Sequence, residues 1–173
     1  AFAGMLQPGA PRHHGPMNGP TIALCSAAPI ALDGADAPEW IQLLPAGEIR
    51  TQDGRGPYRV ADMTALMAAS LPAGERLVVD ENHATDLAAP KGSCAPARGW
   101  IVETEERNGE LWGRVEWTPT GQAMMADGMY RGISPIVEHD RHGRILNVSS
   151  AALTNAPNLT LASLHTKGTS MTI

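Results

Sequence analysis

Two alternating runs joined by a tight turn constrain this chain most. Trp100-Ile101-Val102-Glu103-Thr104 alternates along one arm, and Leu111-Trp112-Gly113-Arg114-Val115-Glu116-Trp117 along the other. Asn108-Gly109 lies between them, the dipeptide that reaches the left-handed backbone of a hairpin turn at least cost. Residues 99–118 are therefore predicted to form an antiparallel hairpin. Thr118-Pro119 follows at once: threonine caps a helix, and proline at the first helical position gives up an amide that has no partner there. Gly128 closes that helix.

The remaining segments extend this pattern. Thr21–Ala31 reads as a strand, with Glu39–Leu44 as its partner and the Asp33-Gly34 turn between them. Residues 45–57 form a polar loop. Val60, Met63, Leu66 and Met67 recur at helical spacing and predict a helix of about eleven residues, ended by Pro72 and Gly74. Leu77-Val78-Val79 is a short buried strand that ends at Asp80. Residues 84–97 carry Pro90, Gly92 and Pro96 without periodicity and read as a long loop. Tyr130–Glu138 and Ile145–Leu153 are strands joined by a polar turn over 139–143. The expected fold is mainly β with a few α-helices: a small irregular β-barrel flanked by helices. No strand-helix alternation runs long enough for a doubly wound sheet.

Length fits one domain: the chain has 173 residues. Residues 1–16 are rich in Gly and Pro and read as a disordered arm or processing remnant, with Met17 as a candidate native start. The main domain is expected over 17–160, followed by a loose Ser/Thr-rich tail over 161–173. Aromatic residues make up only 4%, so Trp40, Trp100, Trp112 and Trp117 are expected to be the largest pieces of the core. The net charge of −5 and the scattered Lys and Arg argue against a nucleic-acid partner. No run of eighteen apolar residues suggests a membrane span, and Thr21–Leu32 does not read as a signal peptide. Cys25 and Cys94 are lone cysteines with no metal-ligand spacing, expected to be reduced thiols. His13-His14, adjacent in a flexible arm, make a poor chelate. No cofactor or metal is expected.

Two residues stand out chemically. Ser134 sits in Tyr130-Arg131-Gly132-Ile133-Ser134-Pro135, where the following proline holds it in extended backbone. His83 ends Asp80-Glu81-Asn82-His83, just past a strand. A serine becomes a nucleophile only when a base within hydrogen-bond reach takes its proton, and that base needs a third group to fix its tautomer. Pro135 has no amide, so the oxyanion donor that usually follows a nucleophilic serine is absent. The loop Thr154-Asn155-Ala156 is the candidate replacement. Two other readings compete with a serine hydrolase. One is a non-catalytic structural module on the same fold. The other is a metal-dependent hydrolase using Asp80, Glu81, His83, His139 and Asp140, although Asp80–His83 lacks the i, i+4 histidine pair of helical zinc sites.

In order along residues 20–160 come Asp80–His83 after a hydrophobic strand, Gly99-Trp100-Ile101, Trp117-Thr118-Pro119 with Gly121, Tyr130–Pro135, and Ala152-Leu153-Thr154-Asn155. This ordered set resembles the phage Mu-type protease family, the Mu-like prophage I proteins. That family falls within the wider group of prohead maturation proteases related to herpesvirus assemblin. The resemblance implies an assemblin-like fold and a serine endopeptidase that processes scaffold and itself during capsid maturation, in the host cytoplasm inside assembling proheads. Its implied partners are the scaffold protein, its own C-terminal extension and the major capsid protein assembly, with room for a homo-oligomer. It assigns the nucleophile to Ser134 and the general base to His83. Where related proteases carry an acid, the nearest position here is Ser149, so Ser149 is favoured as the third member. Asp80, Glu81, Asp86, Glu138 and His139 are the alternatives.

Overall fold

The computed structural model describes residues 21–24 and 37–156. The arm 1–16, the tail 161–173, Cys25 and the turn at 32–36 lie outside them. The strands are β1 (Thr21–Leu24), β2 (Trp40–Leu44), β3 (Leu77–Glu81), β4 (Gly99–Arg107), β5 (Glu110–Trp117), β6 (Gly132–His139) and β7 (Ile145–Thr154). The helices are α1 (Met63–Ser70), α2 (Ala84–Leu87) and α3 (Pro119–Ala126). The strands form one sheet in the order β1-β6-β7-β3-β4-β5-β2, curled into a nearly closed barrel. Every neighbouring pair is antiparallel except β3 and β7, which run parallel.

The β4–β5 hairpin forms as its alternation requires, turning at Asn108 and Gly109, both at positive φ. Its alternation also decides where the tryptophans go. Ile101, Leu111 and Val115 point into the core, which puts Trp100 and Trp112 on the outer face. The core is therefore aliphatic: Leu43, Leu44, Ile49, Val79, Ile101, Leu111, Met125, Ile133, Val137, Val148 and Leu153 are fully buried. The tryptophans do not anchor it. Trp40 and Trp112 flank the Arg107 guanidinium at 4.4 and 5.1 Å, and Trp117 packs on the core margin with its indole N–H donating to the Pro38 carbonyl.

Among the described residues the expected pairing of the first two strands is not found. β1 pairs with β6 and β2 with β5, at opposite ends of the sheet. The Asp33-Gly34 signal is local, whereas pairing depends on the faces that the barrel buries. The long loop after Asp80 is also more regular than its composition suggests. It holds α2 and a 3-10 turn over Ala89–Lys91.

Two contacts brace β4 and β7, the strands that neighbour β3 and β6. Thr118 caps α3 by accepting from the Gly121 amide, and its backbone N–H and hydroxyl both donate to the Arg98 carbonyl. This docks α3 onto the start of β4, so closely that a Cβ on Gly121 would lie 2.0 Å from the Arg98 oxygen. On β7, the buried Ser70 hydroxyl of α1 accepts from the Val148 amide and donates to the Leu66 carbonyl. That bond sits at a bulge. Ile136 pairs with Ser150 and Val137 with Val148, which leaves Ser149 as the extra residue.

Candidate active site

Ser134 lies on β6, opposite Ala152 of β7. Ala152 in turn lies opposite Asp80 of β3. The three residues form one row across adjacent strands, with a side chain of one carbon in the middle. Two strand spacings put the ends of the row about 10 Å apart. Pro135 lies one residue beyond the β1 ladder, which ends at Leu24 and Ile136. Strand prolines are tolerated where a ladder bond is not required.

The chain leaves β3 through two consecutive left-handed residues, Asn82 (φ 51°) and His83 (φ 60°). Each costs a residue with a Cβ about 1–2 kcal/mol, so the surroundings must hold them there. The Asn82 amide donates to the Leu153 carbonyl, continuing the β3–β7 ladder. Asp80 accepts from the Thr85 amide at 2.6 Å through Oδ2 and so caps α2. His83 occupies the cap position without using its side chain there. Its ring turns instead toward β6, and Nε2 stands 2.7 Å from Ser134 Oγ. Ser134 is only 4% exposed. Burial lowers the His83 pKa below its ordinary value, and the nearby Asp80 and Asp86 carboxylates offset part of that effect. The neutral ring is thereby favoured, which is the form that can accept a hydroxyl proton.

Ser149 makes no hydrogen bond to the imidazole. Nδ1 of His83 is buried without a hydrogen-bond partner, and Ser149 is the bulge residue outside the paired register. Its neighbour Ser150 is the buried serine, and it donates to Asp86 Oδ2 at 3.1 Å. The bulge shifts β7 by one residue, and the sequence carries no mark of that shift.

The other candidates have separate engagements. Glu81 accepts from Arg98 Nε and Nη2 and from the Tyr130 hydroxyl at 2.7 Å. That hydrogen bond, together with burial, raises the Tyr130 pKa. Glu138 and His139 stand at the far end of β6, where the His139 ring packs at a tilt against Tyr58 and its Nδ1 donates to the Asp140 carbonyl. A surface cavity of about 420 Å³ lies there too, lined by residues 55–59 and 139–143, and takes no part in the Ser134–His83 contact. Among the described residues no three His, Cys, Asp or Glu side chains converge to hold a metal.

The loop expected to supply oxyanion donors works as a clamp. The Asn155 side chain accepts from the Arg131 amide and donates to the Met129 carbonyl, and the Ala156 amide donates to Thr154 Oγ1. Sequence reasoning gives no site role to Ala152 or Ser150. The run of small residues Ser149-Ser150-Ala151-Ala152 inside a buried strand was the available signal, because small side chains there leave room for a ring above the sheet.

Among the described residues no helix is long and apolar enough to cross a membrane. Comparison with known proteins identifies relatives of this chain. The chain is 34% identical over 157 residues to the Mu-like prophage FluMu I protein of Haemophilus influenzae, covering 81% of this chain and 42% of that protein. It is 33% identical over 156 residues to Protease I of Escherichia phage Mu, covering 80% of this chain and 41% of that one. The chain thus spans less than half the length of these relatives. No solved structure matches it significantly. Residues 41–165 match the family described as Mu-like prophage I protein, N-terminal domain, and the chain belongs to that family.

Proposed function

We propose that this chain is the catalytic domain of a serine endopeptidase that processes scaffold protein and its own C-terminal extension during phage head assembly. One observation carries this reading: the 2.7 Å contact between Ser134 Oγ and His83 Nε2, made by a buried serine and an imidazole whose pKa burial lowers. The printed name of the phage Mu relative, a protease, supports it.

The chemistry follows from that contact. His83 Nε2 takes the Ser134 hydroxyl proton as Oγ adds to the scissile carbonyl carbon. The imidazolium then gives that proton to the amide nitrogen as the carbon–nitrogen bond breaks, releasing the amine product and leaving an acyl-Ser134 ester. Water adds to the ester with His83 again acting as base, and Ser134 Oγ leaves with the proton. The domain acts within assembling proheads in the host cytoplasm, beside the major capsid protein, and its substrates present small residues to a shallow cleft.

The test uses the full-length precursor. Ser134→Ala and His83→Gln should each leave scaffold and precursor uncut, with rate losses of at least about 10³-fold. Ser134→Ala should also abolish labelling by a fluorophosphonate. A wild-type chain that takes no label, with normal processing by folded Ser134→Ala, would identify it as a non-catalytic capsid module; normal labelling of folded Ser134→Ala would place the nucleophile at another residue.

A further inference from the structure

The Ser134–His83 pair lacks a visible third member, and the structure holds two complementary loose ends beside it. Nδ1 of His83 is buried with no partner, and so is Oδ1 of Asp80. The one other buried side-chain atom without a partner among the described residues, Asn147 Oδ1, lies far along β7 opposite Glu138. A neutral imidazole carries one proton. If Nε2 is to accept from Ser134, that proton is on Nδ1, and a buried donor without an acceptor costs about 1–3 kcal/mol.

We infer that Asp80 is the positioning residue of this site, its Oδ1 accepting the Nδ1 proton of His83 when substrate closes the cleft. The inference rests on the serine-protease reading and deepens it. Three features support it. Asp80 shares the cross-sheet row with Ser134, on the far side of Ala152, so a ring that touches Ser134 from the β3 side is flanked by both residues. The carboxylate is 1% exposed, and Oδ2 is pinned by the Thr85 amide, which fixes the direction of Oδ1. Contacts of this kind are often long in the unliganded enzyme and tighten in the substrate complex.

Asp86 is the competing acid. It is exposed on α2, and Oδ2 is occupied by the Ser150 hydroxyl. A solvated carboxylate stabilises an imidazolium less than a buried one does. Glu81 is neutralised by Arg98 and bound by Tyr130, so it offers the ring little charge. Asp80 was among the acids named from sequence. What selects it here is the pair of unsatisfied atoms and the shared row.

The experiment measures fluorophosphonate acylation rates of the wild-type chain, Asp80→Asn and Asp86→Asn across pH, together with NMR titration of the His83 ring. Asparagine can still accept from the Thr85 amide, so the α2 cap survives. Asp80→Asn should slow acylation at least about 100-fold and move both the His83 titration and the acid limb of the residual rate to lower pH. Asp86→Asn should change the rate less than about threefold. Any of three results would overturn the inference: an unchanged rate in Asp80→Asn, a slower rate with an unmoved His83 titration, or a larger loss in Asp86→Asn. If Asp80→Asn does not fold, the wild-type ring in the fluorophosphonate adduct, with the cleft occupied, decides: a strongly deshielded Nδ1 proton supports the inference, and an ordinary one refutes it. The ring titration does not depend on catalysis. A shifted titration alongside normal labelling of Ser134→Ala would therefore sink the protease reading and leave Asp80 in place.

Discussion

Lowering the pH should switch off Ser134 at a point set by the burial of His83. In the proposed mechanism the base is the neutral ring, whose Nε2 stands 2.7 Å from Oγ. Protonating Nε2 removes the acceptor, so acylation should fall about tenfold per pH unit below the ring's pKa. Burial lowers that pKa from 6.5, and Asp80 and Asp86 raise it by less than burial takes away. A group titrating below 6.5 is at least about 90% neutral at pH 7.5, so the rate should be flat there and above. The assay is the rate of fluorophosphonate labelling of the chain between pH 4.5 and 9, which needs no peptide substrate. The same shift has a sign in stability. The folded pKa lies below the unfolded value, so the unfolded chain binds the proton first as pH falls. The contribution of neutral His83 is complete above the unfolded pKa and is lost as pH falls through the folded one. A labelling midpoint above pH 7 would refute the reasoning. So would a rate that rises only where tyrosine titrates, which would point to Tyr130 instead.

Three substitutions test the framework that holds the pair. Gly121→Ala places a Cβ 2.0 Å from the Arg98 oxygen; because a backbone atom cannot swing away, denaturant titration should show a loss of about 3 kcal/mol or more. Ser70→Ala leaves the Val148 amide buried without its acceptor; the expected loss is about 1–3 kcal/mol, read by thermal melting, and a change within 0.5 kcal/mol would show that the bulge needs no anchor. Ala152→Leu overfills the row between Ser134 and Asp80 at a cost of about 1–3 kcal/mol and should abolish labelling in a folded protein, whereas Ala152→Gly should retain it. Normal labelling of the leucine variant would mean that the ring does not need the space above residue 152.

Local signals in the sequence were reliable where the physics is local. Asn108-Gly109 turns the hairpin, Thr118 caps α3 through its side chain, and α1 stops at Ser70, just before Pro72. The pairing of β1 and β2 is a long-range outcome and was misread from a nearby Asp-Gly turn. The tryptophans were misplaced for a related reason. Residue size suggested core anchors, but the two-residue period of β4 and β5 had already assigned the inner face to Ile101, Leu111 and Val115.

The site divides along the same line. Ser134 and His83 each stand at a position that a short motif defines, so both could be named before any distance was known. Their meeting depends on β7 lying between β6 and β3, with the parallel β3–β7 pair bringing the end of β3 level with Ser134. The third position depends on finer detail. One extra residue at Ser149, anchored by Ser70 from a helix nearly eighty positions away, shifts the strand so that Ser150 and Ala152 occupy the paired positions. A sequence can show that a strand is buried and small, but a bulge is fixed by contacts across the fold. Any assignment by counting along β7 is therefore vulnerable to an error of one. Asp80 is free of that ambiguity, because it lies on β3, three residues from His83, and its backbone register is set directly against Ala152.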